Sequence, residues 1–166
     1  MNVDKTKVIG NYTIYKKNMN RHNTLFGGYI LFWLDEIMGM TARKYSELFF
    51  VTASIDTYQF IDKVCENEFL KIKSYVSSVG KKSIEIFAEV TAYNGETRHE
   101  RLVGTAFSTF SLRKDQVLKH KLEEIEYNTE IEKFVHFSHE ERKNYKITNR
   151  EFSKEYLKKY NQYYGA

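Results

Sequence analysis

An apolar run between a glycine pair and two carboxylates constrains the fold of this chain more than any other feature. Residues 29–34 are apolar throughout, Gly27 and Gly28 precede them, and Asp35 and Glu36 follow them. No other part of the first hundred residues is apolar at helical spacing for so long, so we predict a helix that begins near the glycine pair. Apolar side chains cover nearly its whole circumference, which is typical of a buried helix. A length of roughly 18 residues is marginal for a membrane span, and the central carboxylates argue against one.

Asp35 lies at the middle of the predicted helix. Burying a carboxylate costs several kcal/mol unless it is paired, hydrogen-bonded or protonated, so its position implies either a structural partner or a chemical use. The glycine pair favours the chemical use, because Gly27 and Gly28 let a ligand approach the backbone. The free N–H groups of a helix N-terminus also bind developing negative charge. A carboxylate and donors of this kind on one helix are the parts of an acyl-transfer site.

Composition limits the class of protein. The 166 residues are enough for one domain with its own core, and the net charge of +4 falls short of a nucleic-acid-binding surface. Cys65 is the single cysteine, which excludes an intrachain disulfide and suits a reducing compartment. Residues 1–10 contain no apolar segment like that of a signal peptide. We therefore expect a cytoplasmic protein that binds no nucleic acid and makes no stable membrane insertion.

Five segments show the period of two that is typical of strands. They span residues 8–16, 49–61, 69–79, 83–93 and 102–112. The first precedes the helix, and the polar loop between them offers Asn23 or Thr24 as a helix cap. The other four follow the helix, which the polar residues 42–47 are predicted to end, and short turns join them. This order predicts an α+β fold in which an antiparallel sheet wraps around one long central helix.

The composition changes after Arg113. Residues 1–113 form the predicted domain, and residues 114–166 form a charged extension with two predicted amphipathic helices, over 130–137 and 149–164. His136 and His139 are three residues apart, but no cysteine or further histidine lies near them. We therefore expect surface histidines and no metal site.

Three motifs, in this order, resemble the hotdog-fold acyl-CoA thioesterase family. They are Asn20 with Thr24-Leu25-Phe26-Gly27-Gly28 and Trp33-Leu34-Asp35-Glu36; Val51-Thr52-Ala53-Ser54-Ile55-Asp56 with Phe60-Ile61; and Val79-Gly80-Lys81-Lys82-Ser83. The chain departs from the family pattern in the loop after the second strand, where Lys63 and Asn67 replace a proline and a glycine. The resemblance implies a hotdog fold with a C-terminal helical extension. It also implies hydrolysis of an acyl-CoA to a free carboxylic acid and coenzyme A.

The resemblance implies roles for individual residues. Asp35 acts as general base on water or as nucleophile on the thioester, and the backbone N–H groups of Gly27 and Gly28 polarise the thioester carbonyl. Asn20 orients the water or the thioester, or only holds its loop. The implied substrate-binding and coenzyme A-binding residues are Thr24, Phe26, Thr52, Phe60, Gly80, Lys81, Lys82 and Ser83. No cofactor is implied, because coenzyme A is part of the substrate and of the product.

Two ambiguities concern single residues. Lys81 and Lys82 form a basic turn that suits the phosphates of coenzyme A, but a solvated hairpin would contain the same residues. Asp56 either lines the site or has a structural role, and we favour the structural role.

The spacing within the helix points to a homodimer. Gly28 and Asp35 are seven residues apart, roughly 10 Å along a helix axis, which is too far for both to grip one thioester. In hotdog relatives the helix terminus and the acid come from different chains, so we expect the site at a dimer interface. The resemblance further implies a trimer of such dimers.

Two other functions remain as alternatives. The first is a catalytically silent protein that binds or senses acyl-CoA, although such a protein has little reason to bury Asp35. The second is a hotdog hydratase or dehydratase, but those enzymes use a histidine paired with an acid in the helix region, and none is present here. Release of free thiol from acyl-CoA distinguishes the hydrolase from the binding protein.

Overall fold

A computed structural model of the chain describes residues 1–164. The central helix, α1, spans Gly27–Tyr45 and begins where the sequence predicts. Phe26 occupies the N-cap position and its side chain makes no capping hydrogen bond, so the prediction of Asn23 or Thr24 as the cap is wrong. The helix also continues past the expected stop at Ala42, because Ala42 and Tyr45 are both buried in the core.

Five antiparallel strands form one sheet in the order β1-β3-β4-β5-β2. They are β1 Val8–Thr13, β2 Phe50–Phe60, β3 Glu68–Val79, β4 Ser83–Asn94 and β5 His99–Leu112. All five strands contact α1, so the sheet curves around the helix and the predicted hotdog fold is confirmed. Strand β1 is shorter than predicted, because Lys16–Asn18 form a 3-10 turn. Strand β2 lies at an edge of this sheet.

The main core lies between α1 and the inner face of the sheet. The predicted inward-facing series on β3 is correct, since Leu70, Ile72, Ser74 and Val76 are all fully buried. A hydroxyl pair lies within this apolar layer, where Thr41 Oγ1 of α1 is 2.5 Å from Ser74 Oγ. The two hydroxyls satisfy each other, so the helix and the sheet meet without an unpaired polar group at this point.

The opposite side of α1 is exposed in the single chain. Phe32 is 60% exposed and Met40 is 56% exposed, and Asp35 and Glu36 are exposed with them. The expectation that α1 is buried all round is therefore wrong for one chain, because one sheet covers only one side of a helix. Further exposed apolar side chains are Phe26, Tyr29, Val51, Ile55 and Phe60. An apolar patch of this kind is typical of a protein–protein interface.

The C-terminal extension covers the outer face of the sheet. Helix α2 spans Glu130–Phe137 as predicted, whereas α3 spans His139–Tyr164 and begins ten residues earlier than predicted. Val135 of α2 packs with Val3, Tyr75 and Phe87 in a second, smaller core. Residues 165 and 166 of the predicted extension lie outside the described part of the chain.

A cluster of buried charges fastens α3 to the outer face. Glu85 of β4 is 3% exposed, and its carboxylate accepts hydrogen bonds from Arg142 Nη2 at 2.7 Å and from Lys146 Nζ at 2.5 Å. His139 Nδ1 lies 3.2 Å from Glu85 Oε1, so His139 is part of this cluster and not the surface histidine that we expected. Lys146 Nζ also lies 2.9 Å from Asp56 of β2. The cluster thus joins α3 to two strands.

These partners control the ionisation of Glu85. Burial raises the pKa of the Glu85 carboxyl, but the contact with His139, the hydrogen bonds from Arg142 and the charge of Lys146 outweigh burial. The net effect is a pKa well below the usual value of 4.5. Glu85 therefore remains charged at neutral pH and compensates the cations that α3 brings to the sheet.

Replacing this charge is expected to destabilise the chain. Glu85→Gln leaves Arg142 without a buried counter-charge and leaves Lys146 with Asp56 alone, so we expect the free energy of unfolding at pH 7 to fall by about 3 kcal/mol. The pKa of Glu85 is lower in the folded than in the unfolded chain, so its contribution is complete above about pH 4.5 and disappears on acidification. Urea unfolding at pH 7 and at lower pH measures both effects.

The matched control is Glu124→Gln, which removes the exposed pair with Lys121 and should cost less than about 1 kcal/mol. An equal loss in the two variants would contradict a special role for the buried cluster.

Candidate functional site

The N-terminus of α1 presents two unused backbone donors. The Phe26 N–H donates to Asn18 O at 2.9 Å, and the Tyr29 N–H donates to Phe26 O at 3.0 Å. Within residues 1–164, the N–H groups of Gly27 and Gly28 have no protein acceptor. Free donors at a helix N-terminus attract negative charge. The helix start can therefore bind an anion or a developing oxyanion.

Aromatic rings lie directly over both glycines. A Cβ atom on Gly28 would lie 2.3 Å from Cε1 of Phe26, and a Cβ atom on Gly27 would lie 2.9 Å from Cζ of Phe60. Real side chains do not approach so closely, so any larger residue would displace a ring. The glycines therefore allow Phe26 and Phe60 to form an apolar mouth around the two N–H groups.

Asn20 holds the loop that leads into α1. Its backbone N–H donates to Thr24 O at 2.8 Å, and its side-chain Nδ2 donates to Thr24 Oγ1 at 3.0 Å. Its Oδ1 accepts from the His22 N–H at 2.8 Å. These bonds correspond to the loop-holding alternative for Asn20, and they place Asn20 and Thr24 beside the helix start.

A cavity of about 480 Å³ lies at this end of α1. It brings together four of the predicted site residues, namely Asn20, Thr24, Gly27 and Phe60. Leu25, Ile30 and residues 61–64 complete its walls. The cavity is mainly apolar, with polar groups at the helix start, and this composition is typical of a small-molecule site.

Arg101 of β5 fastens the loop that forms the far wall, and sequence reasoning missed it. Its guanidinium donates to Glu68 Oε1 at 2.7 Å, to Asp62 Oδ2 at 2.7 Å and to Lys63 O at 2.7 Å. The hydrogen bonds from Arg101 lower the pKa of Glu68 although burial of that carboxyl opposes the shift. Asn67 has a φ of 66°, a conformation that glycine adopts readily and asparagine tolerates.

Asp35 lies about two turns further along α1 and does not line this cavity. Its Oδ1 accepts a hydrogen bond from Thr52 Oγ1 of β2 at 2.8 Å, and both residues are exposed. The structure therefore places the predicted acid and its predicted neighbour Thr52 together. It separates them from the helix start that holds Gly27 and Gly28.

The basic turn, residues 80–83, is distant from the cavity at the start of α1. Ser83 pairs with Ser111, Phe50 pairs with Leu112, and the Leu112 N–H donates to Lys82 O at 2.8 Å. The predicted coenzyme A-binding residues of this turn, which are Gly80, Lys81, Lys82 and Ser83, therefore lie beside the Phe50 end of β2. Phe60, at the cavity, is ten residues further along that strand, a distance of about 30 Å.

Asp56 lies on the opposite face of the sheet from Asp35. It accepts hydrogen bonds from Ser54 Oγ at 2.6 Å and from Thr109 Oγ1 at 2.7 Å, and it pairs with Lys146. These contacts favour the structural role for Asp56.

Residues 1–164 contain neither a cluster of metal ligands nor a membrane-spanning helix. No group of three or more His, Cys, Asp or Glu side chains there could hold a metal ion. No helix in that part of the chain is long and apolar enough to cross a membrane.

The chain is similar to known acyl-CoA hydrolases. A family model described as the thioesterase superfamily matches residues 22–98. An uncharacterized acyl-CoA thioester hydrolase of Bacillus subtilis, YkhA, is 32% identical over 106 residues, which are 64% of this chain and 62% of that protein. This match thus spans less than two thirds of that relative's length.

Two solved structures have the same fold. The acyl-CoA hydrolase from Bacillus cereus superposes with a TM-score of 0.87 at 26% identity, covering 95% of this chain and 96% of the other. An apo-hexameric acyl-CoA thioesterase superposes with a TM-score of 0.83, also at 26% identity, covering 90% of this chain and 96% of the other. At 90% of this chain or more, both likenesses extend beyond what residues 1–113 alone could account for.

The role of Arg101 can be tested by substitution. Arg101→Lys removes the forked hydrogen bonds to Glu68, and we expect amide hydrogen exchange in residues 62–67 to accelerate about tenfold, which corresponds to ~1.4 kcal/mol. Exchange followed by mass spectrometry measures this change. Lys73→Gln is the control, because it breaks the neighbouring Lys73–Glu89 pair and touches no part of the loop. Equal acceleration in both variants would show that Arg101 does not hold the loop.

Proposed function

We propose that this chain, whose residues 22–98 belong to the thioesterase superfamily, hydrolyses an acyl-CoA thioester to a carboxylic acid and coenzyme A. The observation that carries the proposal is that α1 has two free backbone donors at its start and the exposed carboxylate of Asp35 two turns later. Acyl transfer needs a base or nucleophile and donors for the oxyanion, and α1 carries both. The names of the similar proteins support the same reaction.

The edge strand β2 supports a site built from two chains. Its outer edge is unpaired in the five-stranded sheet, and apolar Val51 and Ile55 are exposed along it. Such an edge is a template for pairing with another strand. If two copies pair through β2 in antiparallel fashion, with Ile55 near the two-fold axis, then Phe50 of one chain lies opposite Phe60 of the other.

This pairing brings the separated groups together. Helix α1 runs antiparallel to β2, with Gly27 near Phe60 and Asp35 at Thr52. Thr52 of one chain then lies beside position 58 of the other, within about 7 Å along the strand of Phe60. Asp35 of one chain therefore faces the Gly27–Gly28 donors of its partner. The acid and the N–H groups, which are too far apart to act together within one chain, would therefore act together across the interface.

The same pairing gives the basic turn a role. The Gly80–Ser83 turn lies beside the Phe50 end of β2, so it approaches the partner's cavity. Lys81 and Lys82 would there bind phosphates of coenzyme A, and the acyl chain would lie against Phe26, Ile30 and Phe60. Cations at the mouth and apolar side chains within suit a ligand with a charged head and an apolar tail.

The proposed chemistry needs no group beyond these residues. As general base, Asp35 removes a proton from water while the water oxygen attacks the thioester carbonyl carbon. The N–H groups of Gly27 and Gly28 stabilise the oxyanion, and one good donor contributes roughly 3 kcal/mol. The intermediate then expels the coenzyme A sulfur, which receives the proton from Asp35. In the alternative route, Asp35 attacks the carbonyl itself and water cleaves the resulting anhydride. Both routes remain part of the proposal.

We extend the proposal to assembly and location. The similar hexameric thioesterase supports a trimer of dimers for this chain. The single cysteine suits a reducing compartment, so we propose the cytoplasm. Neither extension is needed for the two-chain site itself.

The central test is the loss of the carboxylate. We expect Asp35→Asn to lower kcat for thiol release from acyl-CoA by at least about 100-fold, because water loses its base or the thioester its nucleophile. The assay follows free thiol with a panel of acyl chain lengths, and the oligomeric state of each variant is checked in parallel. Glu36→Gln, which alters the neighbouring exposed carboxylate, should retain nearly full activity. Wild-type protein that binds acyl-CoA and releases no thiol would instead support the binding-protein alternative.

A mixing experiment tests whether the site spans two chains. Asp35→Asn and Gly28→Val each remove one half of the site, so each homodimer is expected to be inactive. In a heterodimer one site carries both changes and the other carries neither. Random mixing by co-refolding should therefore restore about a quarter of wild-type activity, since half of the dimers are mixed and each has one intact site. No restoration from folded, exchanging dimers would place the whole site within one chain. Asn20→Ala serves as a second partner in case Gly28→Val does not fold.

A further inference from the structure

Helix α3 crosses the sheet towards its open edge. Near its start, Arg142 donates to Glu85 of β4. One turn later, Lys146 pairs with Asp56 of β2, the edge strand. The last α3 residues that line a groove together with strand β2 are Ser153 and Lys154. A further ten residues separate Lys154 from the end of α3 at Tyr164, a length of about 15 Å or three strand widths. We call residues 155–164 the overhang.

The overhang presents apolar side chains to solvent. Tyr156 is 59% exposed and Leu157 is 58% exposed, and Phe152, just before them, is 69% exposed. Ser153 lines the groove and lies seven residues after Lys146, on the same side of the helix. At 100° per residue, Tyr156 and Leu157 flank this direction. They therefore continue the sheet-facing side of α3 beyond the sheet. A polar helical end of ten residues gains little stability in water without packing, so we expect a surface that covers this side.

A groove lies beside α3 on the same face of the molecule. Its volume is about 780 Å³, its floor is formed by residues 53–57 of β2, and α3 forms one wall. Ile55, Phe107 and Tyr145 give it an apolar lining. The groove thus lies over the edge strand, directly next to the position that a second chain would occupy.

We infer that this groove receives the overhang of α3 from a second copy of this chain. The inference rests on the β2-paired dimer of the proposed function. A two-fold axis that makes β2 antiparallel to its copy within one continuous sheet stands perpendicular to the sheet and keeps both outer faces on the same side. Each α3 then extends over the partner's β2, and the two helices run antiparallel and side by side. The groove beside one α3 is where the other arrives.

The charges along α3 fit this antiparallel arrangement. Glu140 and Glu141 lie in its first turn, whereas Lys158 and Lys159 lie in the overhang. Antiparallel packing brings Lys158 and Lys159 of each helix towards Glu140 and Glu141 of the other. A parallel arrangement would bring like charges together, and a lipid surface would leave the acidic end without a partner.

Cross-linking between two populations tests the inference. In a Cys65→Ser background, one population carries Ala53→Cys in the groove floor and the other carries Tyr156→Cys in the overhang. After subunit exchange, a short bis-maleimide should form a covalent heterodimer at least five times more efficiently than it does when Lys158→Cys replaces Tyr156→Cys. Lys158 is the matched control because it lies on the opposite side of the same helix. Equal yields from both pairs would overturn the inference.

A second measurement does not depend on cysteine placement. The double variant Tyr156→Lys with Leu157→Lys should raise the dimer dissociation constant at least tenfold in sedimentation equilibrium. The control Glu155→Gln, which alters the opposite side of the same helix, should not raise it. An unchanged constant in the double variant would also overturn the inference. The inference would also be overturned if the double variant lost binding to anionic lipid vesicles and its dimerisation did not change. The overhang would then bind a membrane and not a second chain.

Thiol release separates this inference from the proposed function. It is measured at a protein concentration at which every variant is dimeric. Cross-linking without thiol release by wild type would refute the hydrolase and keep the overhang contact. Thiol release without preferential cross-linking would keep the hydrolase and refute the overhang contact.

Discussion

A single five-stranded sheet covers only one side of α1, and the rest of the molecule depends on that constraint. The helix has apolar side chains around nearly its whole circumference, so one chain leaves Phe32 and Met40 in water. The same uncovered side carries Asp35, and it lies next to the unpaired edge of β2. Covering this side requires a second protein surface, and the proposed two-fold pairing supplies it. The arrangement that buries the apolar side chains is also the one that brings an acid to the partner's free N–H groups.

Local patterns in the sequence predicted most of the fold. A period of two identified every strand, and the apolar run located the start of α1 at the glycine pair, because both patterns express which side faces the core. The ends were less predictable. Ala42 extends α1 because tertiary burial outweighs the polar residues around it, and the helix start needs no side-chain cap because the preceding loop is held by Asn20 and Thr24. Helix α3 begins early because Arg142 and Lys146 pair with Glu85, which lies about 60 residues away in the sequence.

Motif resemblance named residues for the candidate site but could not give their spatial grouping. Motif resemblance named Asn20, Gly27, Asp35 and Thr52, yet only the strand register shows that they fall into two separate places in one chain. Asp35 is exposed in one chain, so the burial expected for it depends on the proposed dimer, and a sequence pattern does not specify which chain supplies the covering surface. Arg101 gave no signal at all, because a single arginine in a strand is indistinguishable from a solvated one until its partners in the 61–68 loop are located.

Strand β2 connects the two faces of the molecule. Its register with β5 shifts between Thr52 and Ser54 and again between Ile55 and Thr57. The first shift lets Thr52 face inward to Asp35 while Ser54 faces outward, where it donates to Asp56, the partner of Lys146. A regular strand would turn residues 52, 54 and 56 to one face, so it could not contact both Asp35 on the inner face and Lys146 on the outer face. The irregular pairing of β2 thus places the acid's hydrogen-bond donor and the anchor of α3 within five residues of each other. Any second copy that pairs with β2 must therefore fit both faces at once, so the proposed site and the proposed overhang contact depend on the same short segment of edge strand.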